Sequence, residues 1–174
     1  MEVEMDIGGQ VIQILSAQAK GDESIRRQEW ASAVRSYSEA TTTLMALPDS
    51  EPFDRTAFVA SCLAGTATAN IGLGNHSAAL QCAEAALSFF NRAGGMYPAE
   101  RGKWALATLS QGIASSALGR AGEAAQCRLR ARQIMAGASG NLNFETEINR
   151  FAQTLDGMLG RDRMDAKAWW QFWK

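Results

Sequence analysis

The stretch GNHSAAL at residues 74–80 has two counterparts in the chain, QEWASAV at residues 28–34 and GRAGEAA at residues 119–125. The three stretches begin 46 and 45 residues apart. Each opens with a glycine or a polar residue and continues into alanine, a pattern typical of a tight turn between two helices. Three such turns at nearly constant spacing predict a chain of repeated helical hairpins.

Small residues occupy equivalent places around the three turns. One precedes each turn by seven positions, and alanine follows each turn by five and by twelve positions. Two antiparallel helices can approach closely only where the facing side chains are short. A single hairpin buries too little surface to be stable, so the repeats are expected to stack. These nine small residues are Gly21, Ala67, Gly112, Ala33, Ala79, Ala124, Ala40, Ala86 and Ala131.

The segments between the turns favour helix. They are rich in alanine, leucine, glutamine, arginine and glutamate, and they lack the alternation of β-branched residues typical of strands. The three prolines, Pro48, Pro52 and Pro98, fall in short polar or glycine-containing links. We therefore expect an all-α protein. The predicted helices span roughly residues 8–27, 30–46, 53–73, 76–92, 99–118 and 121–137.

The first hairpin carries residues that suggest a known family. In RRQEWASAVRSYSEA, residues 26–40, an aromatic residue follows the turn, and alanine, Tyr37 and Ala40 come after it. This stretch is similar to the second half of a tetratricopeptide repeat (TPR). Leu73-Gly74-Asn75 and Leu118-Gly119-Arg120 resemble the turn inside such a repeat. The resemblance covers about residues 10–135 and implies a right-handed α-solenoid of about three TPR-like helical hairpins.

The period of the repeats departs from the usual TPR length of about 34 residues. A spacing of 45 to 46 residues requires longer helices or longer links. It is similar to the long-period repeats of kinesin light chains and of the spindle-orientation adaptors. The tryptophan and leucine that usually begin the first helix of a TPR are absent, so contacts between the repeats are expected to differ from the standard ones.

The segment that follows the third hairpin predicts a cap. Its apolar residues recur at helical spacing and form a stripe that would cover the last hairpin, as solenoids require. Leu159-Gly160-Arg161 then repeats the residue pattern of the other turns. We therefore expect a capping helix over 143–160 and a short aromatic final helix over 161–174. Asp165 departs from the pattern, because the other repeats have alanine at that position. The stripe consists of Phe144, Ile148, Phe151, Leu155, Met158 and Leu159.

The chain is expected to form a single domain over residues 1–174, with repeats at 8–46, 53–92 and 99–137. Its last residues are unusually aromatic and are interpreted as an interaction anchor. They could pack on the repeats, dock on another protein or a second copy, or insert at a membrane interface, since the tail has four basic and two acidic residues. Disorder is disfavoured because disordered segments are poor in aromatic residues. The anchor residues are Trp169, Trp170, Phe172 and Trp173.

Composition limits the classes of partner. With 17 basic and 18 acidic residues the net charge is −1, which disfavours nucleic acid and anionic membranes as partners. The start, MEVEMDIGG, lacks the features of a signal peptide, and no apolar run reaches 18 residues, so a cytoplasmic protein is expected. Cys62, Cys82 and Cys127 are widely spaced and predict buried thiols.

No motif for catalysis or for a cofactor is recognisable. His76 is the single histidine, and neither a nucleophile motif nor a set of metal ligands accompanies it. Gly72-Leu73-Gly74 lacks the third glycine of a dinucleotide loop. The sequence therefore predicts a protein that is not an enzyme and holds no metal or cofactor. An enzyme that uses His76 with a cysteine or an acidic partner is the weaker hypothesis.

The resemblance to TPR proteins implies a noncatalytic adaptor or scaffold that binds a peptide or amphipathic helix of a partner protein. The groove would lie along the first helix of each hairpin. Asp22, Thr68 and Ile113 stand where the family's carboxylate clamp has asparagine, so such a clamp is not expected. The alternative is a small-molecule or lipid sensor with an apolar cavity between helices. The predicted groove residues are Gln18, Asp22, Ile25, Ala64, Thr68, Ile71, Leu106, Leu109, Ile113 and Ser116.

Overall fold

The computed structural model describes residues 7–48, 54–138, 140 and 142–171, with residues 162–171 described as backbone only. Within these ranges the chain is helical throughout, and two 3₁₀ turns, Gly94–Met96 and Pro98–Glu100, link the fourth helix to the fifth. The helices are α1 (Ile7–Arg26), α2 (Trp30–Ala46), α3 (Arg55–Gly72), α4 (His76–Ala93), α5 (Arg101–Ala117), α6 (Ala121–Ala136) and α7 (Glu145–Gln171).

The helices form three antiparallel hairpins, α1 with α2, α3 with α4, and α5 with α6. The first helices α1, α3, α5 and α7 pack against one another in order, and they make up what we call the inner face. The second helices α2 and α4 each pack against the first helix of the next hairpin as well as their own. The predicted all-α solenoid is confirmed. The six hairpin helices begin and end within two residues of the predicted bounds.

All three turns place one residue in the left-handed backbone region, at the positions that the sequence comparison aligns. The φ angles are 60° at Gln28, 75° at Gly74 and 82° at Gly119. The residue after each of them donates its N–H to a carbonyl near the end of the preceding helix, which satisfies groups that a helix end leaves unpaired. These bonds are Glu29 to Ser24 at 2.8 Å, Asn75 to Asn70 at 2.9 Å and Arg120 to Ser115 at 2.7 Å.

The nine small residues around the turns are all buried. Gly112 illustrates why no larger side chain fits there. A Cβ at this position would lie 2.7 Å from Leu155 Cδ2 and 2.9 Å from Cys127 Cβ. The small residues therefore set the separation between the paired helices, as the sequence pattern predicts.

The predicted turn at Leu159-Gly160-Arg161 is wrong, because α7 runs through it without a break. There is thus one long C-terminal helix instead of a capping helix and a separate final helix. A helix tolerates an interior glycine at a cost of about 1 kcal/mol. Seven positions before Gly160, where the other turns have a small residue, stands the exposed Gln153. Five positions after it, where the other turns have alanine, stands Asp165. A return helix therefore lacks the close-packed surface that it needs.

The first four turns of α7 cap the solenoid. One face packs on α5 and α6, and the opposite face is polar and exposed, with Asn149 and Gln153. A polar outer face of this kind ends a stack of repeats. The predicted stripe is confirmed as the buried face of the cap, with Met158 partly exposed and with Phe144, Ile148, Phe151, Leu155 and Leu159 in the core.

Replacing Gln28 by glycine tests the turn geometry. A residue with a Cβ pays a steric penalty in the left-handed region, so Gln28→Gly should raise the free energy of unfolding by about 1 kcal/mol in denaturant titrations. The matched change Gly74→Ala should lower it by a similar amount, since it introduces that penalty at the equivalent turn. A stabilising Gly74→Ala, or a destabilising Gln28→Gly, would contradict the shared turn.

Candidate functional site

Six of the ten predicted groove residues lie in the core and do not face solvent. Each is 3% exposed or less, and each packs between helices. Thr68 is an example, because its Oγ1 lies 3.4 Å from Ser110 Oγ on the neighbouring first helix. Helical periodicity identifies these faces as apolar, but it does not separate a groove from a contact between stacked repeats. The six residues are Ile25, Ala64, Thr68, Leu106, Leu109 and Ile113.

The other four predicted residues, Gln18, Asp22, Ile71 and Ser116, are partly exposed. Only these members of the set offer side-chain surface to a ligand in this structure. Gln18 and Asp22 lie on α1, Ile71 near the end of α3 and Ser116 near the end of α5. A binding role for the set stays a prediction, and it now depends on these four positions.

A polar network that we call the inner junction joins the first helices. Lys103, on α5 and only 5% exposed, places its Nζ 2.7 Å from Asp22 Oδ1 on α1. The same ammonium group donates to Ser61 Oγ on α3 at 3.0 Å, and Gln18 Nε2 donates to that oxygen at 2.9 Å. Tyr37 on α2 donates its hydroxyl to Asp22 Oδ1 at 2.7 Å. The inner junction therefore links all three hairpins.

The ring of Tyr37 fits between two glycines. A Cβ at Gly21 would lie 2.6 Å from its Cε1 atom, and a Cβ at Gly65 would overlap the ring. Burial, and in second place the Asp22 carboxylate, raises the pKa of Tyr37 far above its usual range. The phenol therefore stays protonated and donates its hydrogen bond to Asp22. Sequence reasoning did not single out this contact, although an isolated glycine such as Gly65 inside a helix can signal a close approach.

The start of α7 reaches the first hairpin across the inner face. The guanidinium of Arg26 lies 4.8 Å from the centre of the Phe144 ring, and the ammonium of Lys103 lies 6.0 Å from it. Arg150 of α7 stands 5.7 Å above the ring of Trp30. Phe144 has a φ of 67°, an unusual angle for a bulky residue, and its ring is buried. Side chains of the chain itself thus cover the inner face around Arg26 and Lys103.

Open clefts lie instead on the outer side of the repeats. One of ≈ 640 Å³ is lined by residues of α4, α5 and α6 and by Arg120, and another of ≈ 490 Å³ lies between α6 and α7. Leu129 lines both of them. A third cleft, of ≈ 270 Å³ between α3 and α4, has apolar residues such as Leu63 and Phe89 and two arginines, Arg55 and Arg92.

The groups considered for chemistry, the three cysteines and His76, lie on helices α3, α4 and α6. Cys62 and Cys127 are buried, and burial raises the pKa of each thiol to about 11. Cys82 is half-buried, and burial raises its pKa as well. A raised pKa disfavours the thiolate, which is the nucleophilic form. His76 is the first residue of α4, and no group of three or more potential metal ligands occurs in the described part of the chain.

Two expectations concern membranes and the aromatic tail. No helix among the described residues is long and apolar enough to cross a bilayer. The backbone of α7 includes Trp169 and Trp170, whereas Phe172 and Trp173 lie outside the described residues. The anchor role of these four residues stays a prediction.

Comparisons with known proteins agree with the fold. The model of the family Domain of Unknown Function (DUF3856) matches residues 9–148. The chain belongs to this family. The DUF3856 match runs from α1 into the first turn of α7, so it contains all three hairpins and the whole inner junction. Among curated proteins, none matches the chain.

A solved structure gives this DUF3856 chain a structural relative. A TPR-like protein from Chlorobium tepidum superposes with a TM-score of 0.80 and shares 25% of its residues. The match covers 88% of this chain and 96% of that one. The resemblance to TPR proteins is therefore confirmed for the fold. The finer likeness to kinesin light chains and spindle-orientation adaptors stays a prediction.

A pair of glycine substitutions tests the packing of Tyr37. Gly65→Ala should lower the free energy of unfolding by about 1 to 2 kcal/mol. Moving the Tyr37 ring away from the added methyl group costs more free energy than the helix gains when alanine replaces glycine. Gly157→Ala is the matched control on the exposed face of α7, where a Cβ meets nothing within 4 Å. It should raise the free energy of unfolding by up to about 1 kcal/mol. Equal effects of the two changes in urea titrations would contradict the close approach.

Proposed function

We propose that this protein is a noncatalytic adaptor or scaffold that binds a helix or peptide from a partner protein. The observation that carries the proposal is the TPR-like solenoid, which matches a TPR-like protein over 88% of the chain. Folds of this type generally mediate contacts between proteins and are typically not catalytic. The unactivated thiols of Cys62 and Cys127 agree with a noncatalytic role.

The contact surface that we propose differs from a plain inner groove. The inner junction and Phe144 cover part of the inner face, which reduces the area that a partner could contact there. The partly exposed Gln18, Asp22, Ile71 and Ser116 remain candidates at its edges. The outer clefts beside α6, of ≈ 640 and ≈ 490 Å³, are larger than the cleft between α3 and α4. The aromatic tail is the other proposed anchor, toward a partner or a second copy, since tryptophans are frequent hot spots of interfaces. A cytoplasmic location is part of this proposal.

The alternative of a small-molecule or lipid sensor has less to support it. It needs an apolar cavity that encloses most of a ligand, and such pockets usually measure about 300 to 1,000 Å³. The two more apolar clefts described above, of ≈ 270 Å³ between α3 and α4 and of ≈ 490 Å³ between α6 and α7, are both open to solvent and do not enclose a ligand. We therefore keep protein binding as the proposed function.

Affinity capture from the source cells tests the proposal. The bait is the full chain, and a version that ends at Gly160 serves as comparison, since the described core residues all precede that point. The full chain should recover at least one protein that then binds the purified bait one to one in isothermal titration calorimetry. If the tail is an anchor, the shortened chain should lose this protein while its melting temperature changes little.

Two outcomes would count against these ideas. Failure of the full chain to recover any protein above a resin control would contradict the adaptor role. An identical set of partners for both versions would remove the tail as an anchor and leave the adaptor role in place.

A further inference from the structure

We infer that the exposed face of α6 is the docking surface for an acidic amphipathic helix of a partner protein. This inference rests on the proposed function and specifies the chemistry of the partner. We call the surface the α6 face and define it by Leu129 with Arg120, Arg128, Arg130 and Arg132.

The first support is an apolar anchor point with open space on both sides. Leu129 is 60% exposed, and it lies halfway along α6. It lines the ≈ 640 Å³ cleft toward α4 and the ≈ 490 Å³ cleft toward α7. A ridge between two clefts suits the apolar stripe of a helix, whose side chains enter the depressions on either side. Helix-in-groove recognition places such anchors three or four residues apart on the partner.

The second support is the charge around this anchor. Four arginines and one acidic residue, Glu123, belong to the segment from Arg120 to the end of α6, although the whole chain has a net charge of −1. Arg120 is paired with Glu123 at 3.8 Å and Arg128 with Asp156 at 2.8 Å, so the positive charge left for a partner lies on Arg130 and Arg132. Arg130 forms no salt bridge with any residue in the described part of the chain. Its positive charge is available to a carboxylate of a partner.

The Arg128 part of the α6 face is held in place by a contact with α7. Arg128 makes two hydrogen bonds to Asp156 of α7, at 2.8 and 2.9 Å. The hydrogen bonds from Arg128 lower the pKa of the Asp156 carboxyl, and the nearby charge of Arg132 contributes to this shift. This contact fixes the wall of the cleft between α6 and α7. A preformed wall reduces the ordering that a partner must impose, which favours binding.

The equivalent helices of the other repeats lack this character. The exposed face of α2 has one basic and one acidic residue, Arg35 and Glu39, and that of α4 has Arg92 and Glu84. Both faces are balanced in charge. The repeats share their core pattern, so the excess of arginine on α6 is not required by the packing of the solenoid. It distinguishes the third hairpin as the one with a charged outer surface.

A protein helix fits this surface better than a membrane or a nucleic acid. Glu84, Glu123 and Asp156 lie among the lining residues of the two clefts and interrupt the arginines, so the positive charge does not form the continuous row that a phosphate backbone requires. Two arginines beside an exposed leucine suit a helix with a few carboxylates next to its apolar stripe. Glutamines such as Gln126 and Gln133 offer donors and acceptors of the kind used at protein interfaces. Leu129 alone provides little area for insertion into a bilayer.

Selection from a displayed library of helical peptides, each about 16 residues long, tests this inference with the full chain as target. Peptides enriched on the wild type should have a net negative charge and an apolar stripe at i, i+3, i+4 and i+7. The best peptide is then labelled, and its affinity is measured by fluorescence anisotropy. Leu129→Gln and the pair Arg130→Glu with Arg132→Glu should each weaken its binding at least tenfold.

A matched control changes the same residue types on α2. Met45 is 69% exposed and Arg35 is exposed, so Met45→Gln with Arg35→Glu alters the surface to a similar extent. This variant should bind the peptide with unchanged affinity, and added salt should weaken binding to the wild type. Circular dichroism should give the same melting temperature for all variants within a few degrees, since every altered side chain is largely solvated.

Each other result overturns the inference in a distinguishable way. Enriched peptides that bind the α6 variants as well as the wild type would overturn the α6 face and leave the adaptor role intact. Enriched peptides that are basic or neutral would overturn the stated chemistry. Binding of phosphatidylserine vesicles or of duplex RNA that the α6 variants abolish, without enrichment of acidic peptides, would assign the surface to another class of partner and overturn the inference.

Discussion

The ion pair between Lys103 and Asp22 is the contact on which the arrangement of the hairpins depends. A buried ammonium group is unfavourable unless carboxylate and hydrogen-bond partners surround it, and here Asp22 and Ser61 provide them. Asp22 also accepts a hydrogen bond from the hydroxyl group of Tyr37, whose ring requires glycine at position 21 and at position 65. One set of contacts therefore connects α5 to α1, α2 and α3. The relative positions of three hairpins are fixed together by it.

This constraint has a consequence for binding. Neighbouring repeats in an open solenoid leave a groove along their first helices, but here the inner junction and the ring of Phe144 occupy part of that space. Surface for a partner then lies at the edges of the inner face and on the outside of the second helices. Among those helices, α6 alone carries an excess of basic side chains around an exposed leucine. Both the contacts on the inner face and the arginines of α6 thus favour a partner that binds on the outer side of the molecule.

Much of the fold could be predicted from the sequence, because it depends on local rules. The left-handed positions of the turns, the nine small residues and the buried stripe of α7 follow from spacing and residue size. The continuation of α7 past Gly160 was missed because the turn pattern was given more weight than Asp165, which stands where the other repeats have alanine. Gln153 and Asp165 were the signals against a turn, since neither allows a closely packed return helix. A turn between two helices requires small residues where the helices pack as well as a glycine at the turn.

The site was harder to predict than the fold. Lys103 lies 81 positions from Asp22 in the sequence, and no periodic pattern connects a lysine at the start of one helix to a carboxylate near the end of another. For the same reason six groove residues, Thr68 and Leu109 among them, turned out to be core. An apolar helical face looks alike in sequence whether it meets a ligand or the next repeat. Only the stacking of the repeats distinguishes these cases.

A double-mutant cycle between Lys103 and Asp22 tests this account most directly. Lys103→Met, Asp22→Asn and their combination would be compared by the free energy of unfolding in urea. The account predicts that each single change destabilises the protein and that the double change costs at least about 1 kcal/mol less than their sum. Additivity within about 0.3 kcal/mol would contradict it. Such a result would mean that the two charges do not stabilise each other and that this ion pair does not hold the hairpins together.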